Sequence, residues 1–116
     1  MSSPNAPFDR AAVLDNLGGD EELLAQIAGL FVAGWPESLA RLRLALAAAD
    51  AEALRATAHA VKGSVANFLA ERAVQATREL ELAGKNGDLA QARQLLDAAI
   101  AAVEEVVAAL GAELKA

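Results

Sequence analysis

Apolar residues recur at helical spacing in successive stretches of this chain, separated by short polar or glycine-bearing breaks. Residues 1–7, which hold two of the three prolines, predict a flexible arm, and Phe8 to Leu17 predict a short helix ended by Gly18 and Gly19. Asp20 stands where it can cap a second helix, whose Leu23, Leu24, Ile27, Leu30 and Phe31 form a stripe that resumes through Leu39, Leu42 and Leu46. Pro36 lies inside that pattern and predicts either a kink or a split, because it has no amide hydrogen and its ring crowds the preceding turn. Asp50 can cap a third helix with Leu54, Ala58, Val61, Val65 and Phe68 on one face. Glu71 to about Ala83 predicts a fourth, less apolar helix closed by a turn at Gly84-Lys85-Asn86-Gly87. Asp88 with Gln91 resembles a capping box before the last helix, along which Leu89, Ala92, Leu95, Ala99, Val103, Val106 and Leu110 make a long stripe. Connections this short force neighbouring helices antiparallel. The expected fold is all-α, an up-down-up-down antiparallel four-helix bundle with a short N-terminal helix, occupying residues 8–116 as one domain.

Composition agrees. The 116 residues are 55% hydrophobic but only 3% aromatic, with alanine and leucine dominant and no tyrosine, which favours packed helices over sheets. With no cysteine, disulfides and thiolate metal sites are excluded. The N-terminus lacks the basic and apolar regions of a signal peptide, and no uninterrupted apolar run is long enough to cross a bilayer, so a cytoplasmic location is expected. A net charge of −6 and a pI near 4.7 oppose nucleic acid and anionic lipid as partners and leave proteins.

The one histidine carries the candidate chemistry. At ~100° per residue the apolar face of the third helix clusters within roughly 40°, and His59 lies about 140° from its mean, so the imidazole faces outward. Its neighbours by helical spacing are Arg55 and Ala56 one turn before, Lys62 and Gly63 one turn after, and Ala66 two turns after. Small side chains would let another protein approach the ring, and two cations could balance a phosphoryl group on it. A histidine on such a helix is commonly a mere solvated side chain; Gly63 costs the helix about 1 kcal/mol relative to alanine and so asks for a packing or approach reason.

The segment Ala58-His59-Ala60-Val61-Lys62-Gly63-Ser64 resembles the signature of histidine phosphotransfer (HPt) domains, Ala-His-x-Leu-Lys-Gly-Ser. Gly18-Gly19-Asp20, Leu30-Phe31, Asp50 and Leu80-Glu81 resemble the same family, and the likeness spans residues 8 to about 110. The resemblance implies that His59 is the phospho-acceptor, that Lys62 and Gly63 shape the phosphoryl site, and that Glu81, on the next helix, orients the imidazole. Partners are expected to dock across Arg55, Ala56 and Ala66, the helical neighbours of His59, and Leu69 at the end of that helix. This chain departs from the pattern at Leu69, where the family commonly has glycine, at Ala73, where it has leucine, and in Val61 and Val65, which replace commoner Leu and Ser. The turn between the third and fourth helices is therefore expected to be shaped differently.

On that resemblance neutral His59 attacks a phospho-aspartate with one ring nitrogen while the other keeps its proton and donates it to Glu81. The chain would be a carrier without its own kinase activity, in a two-component phosphorelay between a sensor histidine kinase and response-regulator receiver domains. It would need no cofactor, since Mg²⁺ is expected on the receiver, and would act as a monomer. No glycine-rich nucleotide loop is present, so autophosphorylation from ATP is not expected. A haem or metal bundle fails for want of ligands, with one histidine, no cysteine and one methionine. Two other readings stay open: a purely structural adaptor, which would tolerate His59→Ala, and a phosphotransfer domain excised from a histidine kinase. The starting methionine and an end just after the last helix favour a stand-alone protein over the latter.

Overall fold

The computed structural model describes residues 7–115; all of the expected arm but Pro7 lies outside them, as does Ala116. Five helices follow in order, α1 (Arg10–Asn16), α2 (Glu21–Ala47), α3 (Ala51–Ala66), α4 (Glu71–Lys85) and α5 (Leu89–Lys115). The starts are fixed locally. Asp9, Asp20, Asp50 and Asp88 each accept a hydrogen bond from the amide three residues on, at 2.9 to 3.1 Å, satisfying donors that the first helical turn leaves free. The α1 helix accordingly begins after Asp9, two residues later than the periodicity suggests.

Around the bundle, α2 packs on α3, α3 on α4, α4 on α5 and α5 back on α2, with α1 against α2. The apolar faces close on one core that includes Leu24, Leu42, Leu54, Val65, Phe68, Leu80, Val103 and Leu110, all at most 2% exposed. Burying a leucine or phenylalanine side chain stabilises by roughly 1.5 to 3 kcal/mol, so this core is what holds the short helices in place. The most extensive helix pair is α3 with α4, the pair that carries His59.

Helix ends and exposure refine the sequence reading at several points. Of the two outcomes expected at Pro36, a kink or a split, the split does not occur: the helix runs unbroken through it, with Trp35 just before it buried and donating its indole N–H to Glu104 Oε2 on α5 at 3.3 Å. Proline can sit there because it withholds only its own amide while tertiary packing holds both flanks. Gly84 belongs to the last turn of α4 and is buried, so the turn that follows is shorter than expected. Leu30 lies on the apolar stripe by spacing yet is 75% exposed. Among the described residues α2 alone is long and apolar enough, by length and composition, to cross a membrane, although Gln26, Pro36 and Glu37 interrupt its apolar residues; here its Leu24, Ala28, Trp35, Leu42, Ala45 and Leu46 are buried in the bundle.

Candidate functional site

His59 sits near the middle of α3, and its side chain is 62% exposed, outward as the wheel predicts. Ala58 and Val61, buried on the opposite face, leave it no inward alternative. Across the α3–α4 contact, Leu80 anchors α4 in the core and the next residue, Glu81, reaches the imidazole: Nδ1 lies 2.9 Å from Glu81 Oε2. The other carboxylate oxygen, Oε1, is sheltered from solvent and meets the Lys62 ammonium at 2.6 Å. Glu81 therefore bridges His59 and Lys62.

Electrostatics fix the proton. The Lys62 ammonium first and the His59 ring second hold the Glu81 carboxyl below its usual value of 4.5, against desolvation, which pushes the other way. An ionised carboxylate can only accept. In neutral His59 the Nδ1 atom must therefore carry the hydrogen and donate it to Oε2, which leaves Nε2 with the free lone pair.

The remaining sequence candidates divide by side. Arg55 stands on the α4 side of His59 and is gripped by Glu52, Nε to Oε2 at 2.9 Å and Nη2 to Oε1 at 2.6 Å, while its charge also feels Glu81. The sequence reading offered both cations to a phosphoryl group; in this structure each already faces a carboxylate. Ala56 and Gly63 are exposed on the α2 side, and a Cβ on Gly63 would meet nothing within 4 Å. They form a low surface beside the ring. Ala66 and Leu69 are exposed at the end of α3 and line a shallow groove with Val74, Gln75 and Arg78 of α4. Leu69 has φ +53°, so the α3–α4 turn takes the backbone conformation that glycine favours, although the residue is leucine.

Sequence reasoning missed a second groove, between α2 and α3, lined by Leu30, Phe31, Gly34, Ala60 and Ser64. The exposed Leu30 is its signal, but a stripe that reads as core gives no hint of which member is left outside. Among the described residues no three His, Cys, Asp or Glu side chains converge as a metal-ligand group.

Residues 26–113 match the family model described as the Hpt domain. The crystal structure of histidine-containing phosphotransfer protein B from Pseudomonas aeruginosa PAO1 superposes on this chain with a TM-score of 0.85 and 29% sequence identity, covering 98% of this chain and 97% of that one. No curated protein sequence matches.

Proposed function

The chain belongs to the Hpt domain family and serves histidine phosphotransfer in a two-component relay, with histidine kinases and response regulators as its partners; from that premise we propose that His59 is the residue that carries the phosphoryl group. The observation that carries the proposal is the Nδ1–Glu81 hydrogen bond on a ring that is otherwise open to solvent. Nε2 attacks the phosphorus of an aspartyl phosphate, a nitrogen–phosphorus bond forms, and the bond to the aspartate oxygen breaks, returning the partner's carboxylate. No proton leaves Nε2, so no base is required. The ring becomes cationic as the bond forms, and Glu81, already ionised, stabilises that charge. The reverse sequence discharges the group to a second receiver.

The chain acts as a carrier with no kinase activity of its own, and the receiver supplies Mg²⁺ and most of the transition-state stabilisation. It needs no cofactor, works as a monomer in the cytoplasm, and engages neither membrane nor nucleic acid. A receiver covers His59 together with Ala56 and Gly63, with Ala66, Leu69 and Arg55 at the margin. Support comes from Gly63: a Cβ there would meet nothing in this chain, so packing within the fold does not require glycine, and its place one turn after His59 leaves the approach to the ring clear.

The test is label transfer from a phosphorylated receiver domain to the parent and to His59→Gln. The parent should take up label that is labile in acid and stable in base, as a phosphoramidate is, and His59→Gln should keep its helical spectrum while accepting none, since an exposed residue is replaced without opening a cavity. Label retained on His59→Gln, or label stable in acid, refutes the assignment; equal partner binding with no labelling of the parent favours an adaptor.

A further inference from the structure

Gly84 lies three residues after Glu81 on α4 and is buried. Of the eight glycines it alone has neighbours where a Cβ would stand: the Arg55 amide nitrogen at 2.9 Å, the Ala51 carbonyl oxygen at 3.1 Å and the Arg55 Cα at 3.1 Å. All three are backbone atoms of α3, so no rotamer change can make room. Because the two helices run antiparallel, Arg55 is one turn before His59 just as Gly84 is one turn after Glu81, and the contact adjoins the imidazole–carboxylate bond.

We propose that Gly84 is a positioning residue for phosphoryl acceptance: its missing side chain lets the α4 backbone lie against α3 at Arg55 and so brings Glu81 within reach of His59 Nδ1. This rests on the reading of His59 as acceptor. A Cβ at 2.9 Å from nitrogen forces the helices apart by about half an ångström, and a hydrogen bond of 2.9 Å has roughly 0.3 Å to give before it leaves the preferred range. Lys62, also on α3, holds the other oxygen at 2.6 Å and can follow the withdrawing carboxylate on its long flexible stem, whereas the imidazole, one methylene from the α3 backbone, cannot, so the His59 bond is the one that opens. Once Oε2 withdraws, nothing holds the proton on Nδ1. Exchange through water moves it to Nε2, and the lone pair that must attack phosphorus is then occupied.

Gly84→Ala is compared with the parent by nitrogen NMR of the imidazole, at a pH where the ring is neutral, and by the rate of phosphoryl transfer from a radiolabelled receiver domain. The variant should gain the Nε2–H tautomer and transfer roughly tenfold more slowly or worse, the worth of one hydrogen bond to a charged group. In a Glu81→Ala background the same substitution should cost no further rate. Ala73→Val, a wedge at the far, buried end of α4, should lower the melting temperature and leave the tautomer alone. Gly84→Ala, alone and with Glu81→Ala, is also made with Ala49→Gly, which relieves a left-handed φ of +52° after α2 and is expected to raise stability. Unchanged tautomer and rate in Gly84→Ala, losses additive with Glu81→Ala, or failure to fold even with Ala49→Gly would each overturn the proposal. A parent that takes no label from any receiver sinks the assignment of His59 instead, and the tautomer comparison still decides whether Gly84 places Glu81.

Discussion

Glu81 joins the chemistry of the site to the stability of the fold. Its carboxyl is held below 4.5 in the folded chain, by Lys62 before His59, so its favourable contribution is fully present above the unfolded value and is lost as pH falls through the folded one. Protonation turns the side chain into a neutral group that neither neutralises Lys62 nor stabilises a charged imidazole. Glutamine copies that state permanently. Glu81→Gln should therefore unfold at lower urea than the parent at neutral pH, and the two midpoints should converge as the pH falls below 4.5 and on through the lowered value of the folded carboxyl. A difference that stays constant across that range would mean that Glu81 stabilises by packing alone. The same substitution exchanges an obligate acceptor for a group that can also donate, so the fixed tautomer of His59 should be lost with it.

At the scale of the elements, the helix ends share one device. In α1, α2, α3 and α4 the chain leaves through a left-handed residue whose successor donates back to the carbonyl five residues earlier, as Asp50 does to Ala45 at 2.8 Å and Asp88 to Ala83 at 2.9 Å. Gly18 and Gly87 fill that residue in α1 and α4, but Ala49 and Leu69 fill it in α2 and α3, with φ of +52° and +53°. A Cβ in this conformation costs about 1 kcal/mol. Ala49 is exposed, so Ala49→Gly should relieve that cost and raise the melting temperature by roughly 4 °C. Leu69→Gly should gain less, because the leucine also covers Ala66 and Val74 in the α3–α4 groove; a larger gain at Leu69 would show that this cover contributes nothing. The caps at Asp20, Asp50 and Asp88 and the outward turn of His59 were legible in the sequence because each is settled within one helix by spacing and side-chain type. Lys62 turning to Glu81, Gly84 lying against Arg55 and Leu30 facing solvent were not, because each depends on how two helices are set against one another, which no single-helix pattern encodes. Glu81 itself was found through the family resemblance, not through periodicity.

The whole molecule separates what stabilises it from what it does. The α1 helix closes one end of the bundle: Phe8 meets Phe68 edge-on at 6.3 Å, Phe31 lies 5.7 Å from the same ring, and the Arg10 guanidinium pairs with both Glu21 and Glu113, tying α1 to the start of α2 and the end of α5. Val13, fully buried, is the α1 side chain in the core, and α1 makes its helix contacts with α2 and none with α4. Leu80 is equally buried but directly precedes Glu81. Val13→Ala should cost about 2 kcal/mol and Leu80→Ala somewhat more, through lost burial and the cavity left behind. A fold of ordinary stability, roughly 5 to 15 kcal/mol, survives either. The consequences for chemistry should differ. Val13→Ala is expected to accept label from a small phosphodonor at the parental rate, since the α3–α4 pair is untouched, whereas Leu80→Ala loosens the turn that presents Glu81 and should slow acceptance while remaining folded. Trp35, held between α2 and α5 by Glu104, gives a fluorescence probe of unfolding distant in sequence from both substitutions, so each rate can be read at a known folded fraction. If Val13→Ala slows acceptance as much as Leu80→Ala at equal folded fraction, the site answers to the bundle as a whole, and the placement of its chemistry in α3 and α4 alone is wrong.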